Sequence, residues 1–407
     1  MMHNNKLWNG NFLLLCFSNF FMFTSFYMLL PTLPVYLVEH LDGTERQVGL
    51  IIAFFTTAQI FARPLAGKWL DEIGRKKVFL YARIAFFVLM FLYLNIPGLL
   101  LFFLLRFIHG FSFGIATTAA GTMAADIVPS ELRAEGMGYY GAFVSLALVI
   151  GPSLGLWIVN SGNFNILFIF CCILGGISAF LGNLIKVDDP TLKKGGNQKR
   201  SLIEKLVEPK VMLICIVAVM ILSVYGGIVS FISLYAKELK MVEASGYFFT
   251  VYSLVLLVIR PITGKISDKY GAYFVIYPGM LLCIVGTVVL SQSNTLTIFL
   301  LSAFLISLGL GSIQPSLQAL VINAVPSERR GAATATYLMS IDLGIAGGAF
   351  VLGIIANYIG YSGMFLSSSL FVLVGLIFYG LYQFRQVKIR NEQLHQETKN
   401  SITTEIE

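Results

Sequence analysis

The sequence predicts an all-α membrane protein, with twelve transmembrane helices in two pseudo-symmetric halves of six. Three observations carry this. The 407-residue chain is 57% hydrophobic and only 12% charged, where an average soluble domain is about 25% charged. Apolar runs long enough to cross a bilayer, about twenty residues each, follow one another through most of its length. The stretch from Arg63 to Gly74 (RPLAGKWLDEIG) returns from Arg260 to Gly271 (RPITGKISDKYG), with Arg, Pro, Gly, Lys, Asp and Gly all repeated 197 residues later. At the same offset Pro129, Ser130, Glu131 and Arg133 return as Pro326, Ser327, Glu328 and Arg330, Tyr140 as Tyr337 and Gly151 as Gly348. A register held across so long a span marks an internal repeat, and charged blocks punctuated by glycine read as tight turns between membrane helices.

Residues 1–9 are polar. The first apolar run, Asn11 to Leu37, is too long for a signal-peptide core and lacks a small-residue cleavage site, so it reads as an uncleaved span. Further spans are expected near 47–67, 78–96, 98–124, 137–159 and 164–185, completing a first half over residues 1–186. Residues 187–208 read as a linker: Asp188-Asp189-Pro190 ends the sixth helix, and lysines and Arg200 surround Gly195-Gly196. Ser201 and Glu204 have capping-box spacing, which predicts a short surface helix before Pro209. Six more runs near 210–236, 246–265, 273–291, 295–322, 332–357 and 362–384 form a second half over 209–385, and the polar residues 386–407 read as a disordered tail.

The net charge of +7 would suit nucleic acid were it spread over one surface, but it falls in alternate loops. With the amino terminus inside, 21 of the 28 Lys and Arg lie in cytoplasmic segments and only Arg46, Lys237 and Lys240 outside. The positive-inside rule therefore places both termini in the cytoplasm, in a plasma membrane, with no nucleic-acid partner. The five cysteines (16, 171, 172, 215 and 283) sit in apolar runs without CxxC spacing, and read as buried thiols rather than disulfides or metal ligands. No metal or other cofactor is expected.

Three signatures make the chain resemble the major facilitator superfamily, and within it the twelve-span drug:proton antiporter branch. Gly67, Asp71, Gly74, Arg75 and Lys76 match the loop motif between helices 2 and 3. Arg106, His109 and Gly110 match the fourth-helix pattern. Gly138, Gly151, Pro152 and Gly155 match the fifth-helix antiporter motif, with Ala147 and Leu156 standing where that motif has glycine. The resemblance implies that Asp71 meets the amino end of helix 11, around Gly331 to Thr334, where unpaired N–H groups favour negative charge. It also implies that Arg75 pairs with Asp126, closing the cytoplasmic side. Asp268 opens the second copy of this latch, without the paired basic residues.

Asp342 is the acidic residue placed deepest in a span. A charge there costs about 2.5–3.5 kcal/mol on insertion scales, so it should face protein or water and carry a function. It is the expected proton carrier, with Arg106, His109 and Arg83 as companion intramembrane groups. Ala147, Gly151 and Gly155 in helix 5, bent by Pro152, form a ridge of small residues, as do Gly344 and Gly348 in helix 11. Such ridges predict close packing of helix 5 on helix 8 and of helix 11 on helix 2, where the halves would rock. A cavity lined by helices 1, 4, 7 and 10 would offer Asn19, Ser25, Tyr27, Arg106, His109, Tyr225, Ser230, Gln314 and Gln318, with Phe20, Phe21, Phe23 and Phe26 as aromatic wall.

The expected function is secondary active transport, namely proton-coupled efflux of a small amphipathic compound by a monomer through alternating access. A proton-coupled metabolite importer is the alternative. A membrane-embedded sensor or enzyme is disfavoured: the chain has no HExxH, no nucleophile-elbow glycine pattern and no Walker loop.

Overall fold

A computed structural model describes residues 7–161, 163–186, 206–241 and 243–406. Up to residue 205 the expected linker helix lies outside the described residues. Among them there is no strand. The first half holds α1 (Gly10–His40), α2 (Glu45–Glu72), α3 (Arg75–Phe91), α4 (Leu99–Ile127), α5 (Arg133–Asn160) and α6 (Phe164–Leu184). The second holds α7 (Met212–Glu238), α8 (Ala244–Tyr270), α9 (Tyr273–Ser291), α10 (Leu296–Asn323) and a last helical run, Arg330–Ile406.

That run is two helices. Among the described residues eleven stretches are long and apolar enough to cross a membrane, and the last of them, Ser327–Lys388, has 62 residues. At about 1.5 Å per residue it would be roughly three times the thickness of a hydrocarbon core. Gly360, with φ 72° and ψ 176°, breaks it; α11 precedes the break and α12 follows. Along α11, Gly344 and Gly348 meet Val219 and Ser223 of α7 in ascending order. Along α12, Phe365 meets Tyr235 while Gly375 meets Met220, in descending order. The chain therefore turns back at Gly360, and twelve crossings result.

The local causes are legible. Asn9 and Asn163 cap α1 and α6, their side-chain oxygens accepting from Phe12 N at 2.9 Å and Ile166 N at 3.2 Å. Gly74 and Gly271, one repeat apart, take φ of 114° and 98° at the α2–α3 and α8–α9 turns. Side chains rarely adopt that conformation, which is a backbone reason for glycine at both places. Buried apolar residues form one core over residues 7–185 and a second over 211–382. Large apolar side chains also ring the outside, Trp157 being 74% and Phe350 71% exposed; such a surface suits lipid. All five cysteines are free and buried.

The polar tail is helical as far as Ile406 rather than disordered. It continues α12 without a glycine or proline after Gly380, and Glu, Gln, Lys and Arg are strong helix formers. The α2–α3 and α4–α5 turns, the last turns of α6, α8 and α10 and the start of α11 share one face of the bundle, here termed the basic end.

Candidate functional site

Between the halves lies a cavity of about 360 Å³. It is lined from α1, α2, α4, α5, α7, α8, α10 and α11, twice as many helices as expected. Tyr27, Tyr225, Gln314 and Gln318 face it, as do Phe23 and Phe26, and Tyr225 stacks on Tyr252 with ring centroids 5.6 Å apart. Among the described residues three charged side chains reach it: Arg63, Arg260 and Asp342.

Asp342 projects from α11 and is met by Arg63 of α2, from the other half. Arg63 Nε stands 2.5 Å from Asp342 Oδ2, and Nη2 donates to Oδ1 at 3.1 Å. Gln59 and Thr117 take further guanidinium hydrogens, each at 3.3 Å. Arg63 is 5% and Asp342 8% exposed, so each charge offsets the other's desolvation. Sequence reasoning gave Arg63 no role. The signal that could have found it was in hand, since Arg63 and Arg260 open the repeated block while lying inside apolar runs.

The repeat reproduces this arrangement without the acid. Arg260 of α8 reaches α5, where Nη1 donates to Gly141 O at 2.8 Å and Ser145 Oγ at 2.9 Å, while Nη2 donates to Gln314 Oε1 of α10. Ser145 stands 197 residues before Asp342, and Thr117 the same distance before Gln314. The two clusters are one motif with a carboxylate on one side only.

The other intramembrane groups are not brought to Asp342. Arg106 and Thr117 lie on about the same face of α4 but eleven positions apart, roughly 16 Å along the axis. Arg106 stacks on Phe55, 4.2 Å from the ring centroid, and donates to Tyr93 Oη. His109 Nδ1 is 3.1 Å from the same hydroxyl. Phe55 and Phe86 pack on the His109 ring, and both meet Phe113, which lines the cavity and stands between it and the histidine. Arg83 is held by Ser18 O, Ser178 Oγ and Asn19 Oδ1, the last at 2.9 Å, so Asn19 is occupied on the α3 side. Hence Asn19, Arg106 and His109 do not line the cavity, nor do Ser25, Ser230, Phe20 and Phe21. Ser25 donates to Met22 O within its own helix.

At the basic end the halves are joined by a doubled set of contacts. Asp71 accepts from Gly331 N and Ala332 N, both at 2.9 Å, at the amino end of α11. Asp268 does the same at the amino end of α5, with Ala134 N at 2.9 Å and Glu135 N at 2.7 Å. Each carboxylate faces the positive end of a helix dipole. Arg75 Nε is 2.7 Å from Asp126 Oδ2, Arg330 Nη1 is 2.7 Å from Asp126 Oδ1, and Arg75 also donates to Ser327 O. In the mirrored copy Arg133 donates to Asn323 Oδ1. Gly67 and Gly264 let the backbones close up: a Cβ at Gly67 would stand 2.7 Å from that of Ala335, and one at Gly264 2.8 Å from Glu135 Cα.

The glycine ridges serve different contacts from those expected. Gly138 does face α8, at Arg260 and Pro261. Gly151 and Gly155 face α1 instead, at Tyr27 and Met28, and Gly344 and Gly348 face α7 rather than α2. The reason is angular. Thirteen residues separate Gly138 from Gly151, a rotation of about 220° on a 3.6-residue helix. Pro152 lies beside Gly151 within α5. These four glycines tighten each half internally, whereas Gly67, Gly138, Gly264 and Gly331 are among those that make close contacts between the halves.

Comparison with known proteins agrees with this architecture. The family model described as Major Facilitator Superfamily matches residues 15–291 and 242–405. The quinolone resistance protein NorA of Staphylococcus aureus is 25% identical over 341 residues, spanning 79% of this chain and 84% of its own. The multi-drug resistance efflux pump PmrA homolog of Lactococcus lactis is 24% identical over 382 residues, spanning 91% and 94%. The crystal structure of the human organic anion transporter MFSD10 superposes with a TM-score of 0.79 at 18% identity, over 91% of this chain and 98% of its own, a likeness of fold.

Proposed function

The chain belongs to the major facilitator superfamily and is a multi-pass membrane transporter, and from that premise we propose that it is a proton-coupled exporter of a small amphipathic compound, working as a monomer by alternating access. The similarity to the quinolone resistance and multi-drug efflux proteins supports export. The observation that carries proton coupling is the placement of Asp342. It is a carboxylate in the central cavity whose partner, Arg63, belongs to the opposite half.

The sign of the coupling follows from that placement. The positive-inside distribution puts the basic end, with both termini, in the cytoplasm. This conformation is then the one closed to the cytoplasm. An ionised Asp342 holds α2 to α11 through Arg63. A proton arriving from outside neutralises the carboxylate, releases the guanidinium and removes one tie between the halves. The Asp71 and Asp268 caps then have less support, the halves rock, and the proton leaves to the cytoplasm as the compound binds. Residues 1–186 and 209–385 are the two rocking bodies.

The test uses energised everted vesicles, whose lumen corresponds to the outside. A panel of amphipathic dyes and drugs is added to the medium while lumenal pH is followed. Antiport predicts that a carried compound makes the lumen more alkaline, and that vesicles lacking the protein show no change. Lumenal acidification on adding a carried compound would mean symport and contradict the export reading.

A further inference from the structure

The central cavity carries an unbalanced positive charge. Arg63 is matched by Asp342 at 2.5 Å. Arg260 is not matched. Its three acceptors, Gly141 O, Ser145 Oγ and Gln314 Oε1, are all neutral, its Nε has no partner, and among the described residues no carboxylate forms an ion pair with it. The repeat explains the deficit, because the position answering to Asp342 is Ser145. A half-buried guanidinium without a countercharge, facing the cavity, is left only partly compensated. A ligand that brings the missing anion completes that compensation on binding.

Around Arg260 the wall is aromatic. Tyr225, Tyr252 and Tyr337 line the same cavity, with Tyr27, Phe26 and Phe113 from the opposite half. Flat rings beside a forked donor suit an aromatic body carrying a planar or tetrahedral oxyanion, which a guanidinium can hold with two parallel hydrogen bonds. The volume of about 360 Å³ is in the range of small-molecule sites. A cation would add to a charge that is already in excess.

We infer that the transported compound is an amphipathic monoanion, a carboxylate or sulfonate on an aromatic body, and that its anionic group docks on Arg260. This rests on the transporter reading and narrows its substrate class. The anion takes over guanidinium hydrogens now given to Ser145 and Gln314, and thereby loosens the α5–α8 contact as it binds.

Three probes with one fluorophore and different charge test it: dansylglycine (anion), dansylamide (neutral) and dansylcadaverine (cation), each followed in proteoliposomes under an imposed proton gradient. Dansylglycine flux is expected to exceed dansylcadaverine flux about tenfold, the equivalent of one good charge-assisted contact. Arg260→Gln is expected to remove most of that preference while dansylamide flux persists, and Arg260→Lys, which keeps the charge but loses the fork, to retain part of it. Preferential carriage of dansylcadaverine would overturn the inference and leave the transporter reading standing. Equal loss of all three fluxes in both variants, with the variants folded by thermal melting, would assign Arg260 a purely structural role and also overturn it. No flux of any probe above protein-free liposomes would overturn both readings.

Discussion

Arg63→Ala is expected to destabilise the protein more than Arg63 and Asp342 replaced together. The single variant leaves Asp342, 8% exposed, without its partner. An uncompensated buried charge of this kind costs about 3 kcal/mol or more. The double variant Arg63→Met, Asp342→Leu removes both charges and keeps most of the volume, so its cost should fall to about 1 kcal/mol. Detergent-solubilised thermal unfolding of the wild type, Arg63→Ala, Asp342→Leu and the double variant measures this. The double variant is expected to melt well above Arg63→Ala. Simple additivity of the two single losses would mean that the pair is not coupled, and that its short distance carries no energetic weight.

Asp71→Ala should open the basic end more readily than Asp268→Ala, although both carboxylates cap helices in the same way. Each loses two backbone hydrogen bonds at a helix amino end, about 1–2 kcal/mol. Asp71 also stands 3.9 Å from Arg75, which must then depend on Asp126 and Ser327. A bias of about 2 kcal/mol shifts a two-state population roughly thirtyfold. Spin labels at Lys77 and Lys269, exposed on opposite halves at the basic end, report it as a growing long-distance fraction. The expected order is wild type, then Asp268→Ala, then Asp71→Ala. An unchanged distance distribution in Asp71→Ala would show that the capping contacts do not hold the closed state.

The fold was legible because lipid leaves a chain few options. Backbone groups must be satisfied within each crossing, so apolar runs became helices, and the 197-residue register reported the two copies. The break between α11 and α12 could be anticipated from length alone. The helical state of residues 386–406 was missed because polarity was read as disorder, although residues such as Glu392, Gln393 and Gln396 propagate a helix already begun.

The site was legible in part. Asp71 and Arg75 could be placed because their motif has one geometry, set by the turn at Gly74 and by the helix end it meets. Asp342 stood out by depth. Its partner did not, because sequence distance hides a contact between residues 279 apart, and Arg106 and His109 looked equally suitable from composition. Only the axial offset along α4 and the screen of Phe55, Phe86 and Phe113 separate them from the cavity. The glycine ridges were read correctly as close contacts and assigned to the wrong neighbours, since a ridge says how near a helix comes but not which one.

In the proposed transport cycle Asp342 carries the coupled proton. Asp342→Asn keeps the shape of the side chain and can still accept from Arg63, but it cannot titrate. The decisive measurement compares uphill export under a proton gradient with downhill exchange in the same proteoliposomes. Asp342→Asn is expected to lose uphill export while binding and downhill exchange persist. Full uphill export by Asp342→Asn at a normal proton gradient would contradict that role.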